Sequence, residues 1–103
     1  MKGLGNLMKQ ARLMQERMAQ LQAEMGKRTV EASAGGGMVK AVANGNGELV
    51  AIKVDKEVVD PEEVEMLEDL VTAAVNEAVK KGRELMGEEL RKITGGLPIP
   101  GIF

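Results

Sequence analysis

Apolar residues near the start of the chain fall at Leu4, Leu7, Ala11, Met14, Met18, Leu21 and Met25, an unbroken alternation of three and four. That spacing is the a/d stripe of a heptad, and it predicts a helix over about 6–25. Asn6 serves as its N-cap, and Gly26 stands just past its end. The period then changes. TVEASA (29–34), MVKAVAN (38–44) and ELVAIKVD (48–55) are short runs rich in small and β-branched residues. Gly35-Gly36-Gly37 and Asn44-Gly45-Asn46-Gly47 separate them, and both read as hairpin turns in which Gly supplies positive φ. Three antiparallel strands in a meander are the natural result.

Helical spacing returns after Asp60-Pro61-Glu62-Glu63, which offers an N-cap carboxylate, Pro at the first helical position and Glu at the capping-box position. Glu65, Glu68 and Asp69 continue the acidic start that a helix dipole favours. Apolar positions from Val64 through Leu70, Ala74, Ala78 and Leu85 to Ile93 predict a helix over about 61–93, with Gly82 and Gly87 as candidate points for a kink or an early end. Residues 95–103, GGLPIPGIF, cannot continue a helix and are expected to form a flexible Gly/Pro tail. The fold class is therefore α+β in the order helix, three strands, helix, with one domain over 1–94.

The two helices have unequal prospects. A strand of six to eight residues spans about 20–27 Å, so the second helix can cover one face of the sheet. The first helix, about 30 Å long, carries its own apolar stripe and finds little surface left in its own chain. A bare stripe of that length is uncommon on a monomer. The stripe from Leu4 to Met25 is thus expected to pack at least partly against another chain, and a homodimer is the leading expectation.

Composition narrows the chemistry. The 103 residues include no Cys and no His, which removes disulfides, thiolate and imidazole catalysis, and the usual zinc sites. Ser33 is the sole serine and has no base to activate it. The acidic cluster beginning at Glu62 is accounted for by capping and the dipole, so no metal, cofactor or catalytic residue is assigned. Gly35–Gly37 lacks the helix and the Lys-Ser or Lys-Thr that a phosphate loop needs. No apolar run approaches the roughly 20 residues that span a bilayer, and a cytoplasmic location is expected.

The net charge of −2 hides an asymmetry. Residues 1–28 hold Lys2, Lys9, Arg12, Arg17, Lys27 and Arg28 against Glu16 and Glu24, a net of +4, which leaves −6 for residues 29–103. Charges act over about one Debye length, ~8 Å at physiological salt, so a basic helix can meet a polyanion on an acidic protein. With a single aromatic residue, Phe103, the chain is poorly equipped to stack on single-stranded bases.

Three separated segments resemble the YbaB/EbfC family of nucleoid-associated DNA-binding proteins. They are Gly3-Leu4-Gly5-Asn6-Leu7-Met8-Lys9-Gln10-Ala11; Gly37-Met38-Val39 with Asn44-Gly45-Asn46-Gly47-Glu48-Leu49; and Asp60-Pro61-Glu62-Glu63-Val64-Glu65-Met66-Leu67-Glu68-Asp69-Leu70-Val71 continued by Ala73-Ala74-Val75-Asn76-Glu77-Ala78. The resemblance implies a small bacterial protein that is not an enzyme. It further implies a dimer with projecting N-terminal helices that grips duplex DNA with little sequence preference, is associated with the nucleoid and influences gene expression. With duplex DNA as the partner that the resemblance implies, the basic residues of the first helix and its end, Lys9, Arg12, Arg17, Lys27 and Arg28, are the expected phosphate contacts. The alternative is a protein-interaction module in which the Met-rich heptad helix docks a partner's helix.

Overall fold

The computed structural model describes residues 2–95, and the expected tail beyond Gly95 lies outside them. The element order is α1 (Lys2–Lys27), β1 (Thr29–Ala34), β2 (Val39–Asn44), β3 (Leu49–Val54), a single 3₁₀ turn (Lys56–Val58) and α2 (Val64–Thr94). The strands form one antiparallel sheet in the order β1-β2-β3. This is the α-β-β-β-α succession that the change of period predicts.

Element ends differ from expectation at the start of both helices and at the end of α1, which runs through Gly26 to Lys27 instead of stopping before that glycine. α1 starts at Lys2 rather than near Asn6, and runs through Gly3 and Gly5. The heptad phase already includes Leu4 and Leu7, and that continuity outweighs the helix-breaking tendency of two glycines, ~1 kcal/mol each. α2 starts at Val64 rather than Pro61. Asp60 does cap, but it caps a turn ahead of the helix. Its Oδ1 accepts from the Glu62 N–H at 3.0 Å and its carbonyl accepts from the Glu63 N–H at 3.0 Å. α2 then passes unbroken through Gly82 and Gly87 and ends at Gly95, whose left-handed φ of 66° turns the chain out of the helix.

Both glycine groups are the turns the sequence promised. Gly35, Gly36 and Gly37 all have positive φ, while in the second hairpin only Gly47 does. Val50 is left over in the β2–β3 pairing, because Val42 faces Ala51 and Ala43 faces Leu49. This bulge twists the edge strand at its start.

The core is built mainly from small residues. Ala32, Val39, Ala41, Ala43, Val58, Ala74 and Ala78 are buried together. Alanines on both surfaces let α2 lie close on the sheet, and Gly82 touches it. A Cβ there would collide with the Asn44 carbonyl oxygen. One helix about 10 Å across cannot cover three strands, and α2 lies over β1 and β2. Lys81 Nζ donates to the Glu31 carbonyl on β1, and Leu70 fills the space over Gly35 in the β1–β2 turn. The helix-side residues of β3 are left bare, with Leu49, Ile52 and Val54 each about 40% exposed.

The fate of the α1 stripe is split. Leu21 and Met25 are buried, and with Met18 they pack on Leu85, Met86, Leu90 and Ile93 of α2. Leu4, Leu7 and Met14 are exposed, at 59%, 63% and 47%. The last third of the stripe is thus covered by α2 of the same chain, and the part from Leu4 to Met14 is what the expected packing against another chain would have to cover. Periodicity alone assigns α2 wholly to the sheet and gives no sign that its last three turns overhang.

Candidate nucleic-acid interface

What aims α1 is a junction around Asn44, the one buried polar side chain among the described residues. Its Nδ2 donates to the Gly26 carbonyl at 3.3 Å and to Glu48 Oε1 at 3.0 Å. Its Oδ1 accepts from the N–H groups of Asn46 and Glu48 at 3.0 and 3.1 Å. The Gly45 N–H donates to the carbonyls of Met25 and Arg28, and Asn46 Nδ2 donates to the Gln22 carbonyl. The C-terminal end of α1 is thus tied to the β2–β3 hairpin through the backbone carbonyls of Gln22, Met25, Gly26 and Arg28. Gly82 presses α2 onto the same point. From there α1 and α2 run antiparallel, and α1 outlasts α2.

The result is a slender molecule, 72 × 22 × 17 Å. The turns of α1 ahead of Met18 extend past the end of α2, and residues 2–17 alone measure about 24 Å at 1.5 Å per residue. Lys9, Arg12 and Arg17 are exposed on this projection, and Lys27 is exposed at the helix end. At 100° per residue Lys9, Arg12 and Lys27 lie opposite the apolar stripe, with Glu16 between them and Arg17 on the flank. Lys9 and Lys27 are five turns apart, about 27 Å along the axis. Among the described residues none of these four cations has an ion-pair partner.

Arg28 differs. It leaves the helix and its Nη1 contacts Glu89 Oε1 at 3.0 Å, a carboxylate that Lys92 also reaches at 3.1 Å. The hydrogen bonds from Lys92 and Arg28 hold the Glu89 carboxyl below the ordinary glutamate range. Arg28 therefore serves first as a brace between α1 and α2, a role its place in a basic run does not suggest.

A second basic patch is not evident from the sequence. Lys80, Arg83 and Arg91, with Glu84, line a groove of about 640 Å³ along α2 whose floor includes Val79, Met86 and Leu90. The signal is present but averaged away. From Asp60 to Glu77 the chain carries only acidic charges, whereas Lys80, Lys81, Arg83, Arg91 and Lys92 dominate the stretch after it. The acidic end, from Asp55 to Asp69, sits at the opposite pole from the α1 projection. Such a separation orients the molecule in the field of a polyanion, arm first.

Among the described residues no group of three or more acidic, His or Cys side chains is placed to hold a metal, and no helix is long and apolar enough to cross a membrane. A sheet braced by one helix, with a basic helix projecting from the corner, defines a small α+β module whose reactive surface is charge rather than a cleft. Comparison with known proteins is specific. The sequence profile of the YbaB/EbfC DNA-binding family matches residues 1–97, and the chain belongs to that family. A nucleoid-associated protein from Moorella thermoacetica is 57% identical over 102 residues, covering 96% of this chain and 98% of the relative. One from Thermoanaerobacter pseudethanolicus is 56% identical over 100 residues, covering 97% and 90%. The crystal structure of an uncharacterized protein from Helicobacter pylori superposes with a TM-score of 0.74 at 27% identity, covering 89% of this chain and 94% of the other.

Proposed function

We propose that this protein acts as a homodimer that binds duplex DNA with little sequence preference, through phosphate contacts from the projecting helix of each protomer. The observation that carries this reading is the exposed, unpaired set Lys9, Arg12, Arg17 and Lys27 along α1. Lys and Arg neutralise phosphates, and Gln10, Gln15, Gln20 and Gln22 add neutral hydrogen bonds to the backbone. Arg28 joins the contact only by leaving Glu89. The relatives' names support a place on the bacterial nucleoid, in the cytoplasm, with an influence on gene expression following from occupancy of the chromosome. The reading assigns the protein no catalysis.

Dimerisation has its own support. The buried cluster between α2 and the sheet is mostly alanine, and each methylene-sized group adds only ~0.8 kcal/mol on burial, so this layer secures little by itself. The helix-side residues Leu49, Ile52 and Val54 of β3 are bare, and Val71 and Val75 of α2 are only partly buried. We place the second copy on this face rather than on the α1 stripe.

The test is fluorescence anisotropy with a random 30-base-pair duplex between 50 and 300 mM salt. If all four cations of both protomers meet phosphates, the slope of log affinity against log salt approaches roughly −7. Arg12→Glu/Arg17→Glu should abolish binding while leaving the melting curve and the oligomeric state unchanged. No binding at 50 mM by the folded protein would sink the proposal. That outcome would transfer the role to a protein-docking helix, for which the bare Leu4, Leu7 and Met14 are the favouring observation, whereas DNA binding that persists unchanged at 300 mM salt would refute phosphate contacts as its source.

A further inference from the structure

The uncovered part of the α1 stripe has neutral borders. In the heptad that places Leu4, Ala11 and Met18 at a and Leu7 and Met14 at d, the flanking e and g positions are Gly3, Met8, Gln10, Gln15 and Arg17. From Gly3 to Gln15 neither flank holds a charge, and Lys9 and Arg12 lie on the far side of the helix. Charges at e and g are what select an oppositely charged helix or repel a like one. This stripe therefore attracts no charged partner helix and does not repel a copy of itself. Ala11 is exposed within it, and Met8 on its flank is 61% exposed.

α2 fixes how a second α1 can lie there. It occupies the stripe from Met18 to Met25, and Ile93 of its last turn packs on the Leu21 cluster. In a parallel pair, the α2 of each chain would fall where the α1 of the other must run. An antiparallel α1 meets no such obstacle. Leu4 then faces Met14 of the other copy, and Leu7 faces Ala11. The overlap from Leu4 to Met14 is about 15 Å at 1.5 Å per residue, the whole uncovered length. The incoming helix also prolongs the line of α2, which itself runs antiparallel to α1. Its N-terminal end meets the C-terminal end of α2, and these are the opposite poles of two helix dipoles.

We propose that the projecting arms of two copies pair antiparallel through Leu4, Leu7, Ala11 and Met14. The two bodies then lie at opposite ends of the paired arms, so these copies are not the two that share a β3 face, and the contact joins one dimer to another. A seam of so few layers is weak by itself and gains from arms held close together. Lys9 and Arg12 of the two copies face outward on opposite sides of the pair. Combined with the duplex-binding reading, on which this consequence rests, the paired arms link two duplexes. The packing itself does not depend on DNA.

The chain has no cysteine, which allows disulfide trapping in the full-length protein without DNA. Leu4→Cys and Met14→Cys chains are mixed in equal amounts in a glutathione redox buffer, and the products are identified by mass spectrometry. The disulfide between position 4 of one chain and position 14 of the other should exceed either same-residue product about tenfold. Random pairing gives only a twofold excess. Leu7→Asp added to both chains should reduce the product to that random level while circular dichroism stays unchanged. Ile52→Lys added to both should leave it in place, so that failure of the β3 dimer is read separately from failure of the arm contact. Predominant same-residue products would mean parallel arms. A random ratio, or a product indifferent to Leu7→Asp, would mean chance collision and leave the stripe to a different partner. Each of these results overturns the proposal.

Discussion

Gly82→Ala reverses the sign that helix propensity assigns to it, which makes it a sharp test of how α2 meets the sheet. In an exposed helix interior, replacing Gly by Ala stabilises by about 1 kcal/mol. Here the added methyl would collide with the Asn44 carbonyl oxygen, a backbone atom that cannot swing aside. Relief requires α2 and the end of β2 to separate. That movement loosens the Ala43–Ala78 layer and the Asn44 hydrogen bonds to Gly26, Asn46 and Glu48. Overpacking of this kind costs about 1–3 kcal/mol net. For a domain of this size, about 2 kcal/mol lowers the melting temperature by about 8–16 °C. The assay is thermal unfolding by circular dichroism at fixed protein concentration, since a dimer's midpoint depends on concentration. Gly5→Ala is the control: nothing lies within 4 Å of the position its methyl would take, so helicity should rise or stay level. A Gly82→Ala protein that melts at or above the parent would refute the close contact at Asn44 and, with it, the account of how α1 is aimed.

Two further outcomes are expected. Ile52→Lys places a charge on the bare face of β3, where Ile52 is 40% exposed, and should turn a dimer into a well-folded monomer in sedimentation velocity; a variant that still sediments as a dimer would move the interface away from β3. The second concerns Glu89, whose carboxyl is held low by Lys92 and Arg28. A depressed pKa in the folded state stabilises above the unfolded value, ~4.3, and that contribution is lost as pH falls through the folded value. Glu89→Gln should therefore weaken the protein slightly at pH 7 in low salt and leave it unchanged near pH 3, as urea titrations will show. An equal difference at both pH values would mean that the ion pair is not its source.

Much of the architecture is legible because local period and turn chemistry carry it. The switch from three-and-four spacing to short β-branched runs and back marks two helices around three strands, and glycines mark both hairpins. The caps are legible as residues but not as positions. Asp60 does bond the N–H groups after it, but whether the turn it closes is already helix depends on where Leu67 and Leu70 must sit against the sheet. The basic residues of α1 are visible in the sequence, but their separation from the apolar stripe and their freedom from ion pairs are spatial facts. Arg28 and Glu89 are 61 residues apart, so no local pattern could pair them.

The sequence by itself determined the order and kind of the elements, the absence of His and Cys chemistry, and the concentration of positive charge in the first helix. These are properties of neighbours along the chain: periodicity, turn preference and charge. Only the tertiary structure decided which apolar surface was left over. Because a single helix is narrower than a three-stranded sheet, α2 covers β1 and β2 and bares β3. Because α2 ends beside Met18, the stripe from Leu4 to Met14 stands uncovered on a projecting arm. Both are consequences of packing dimensions that no stretch of sequence contains.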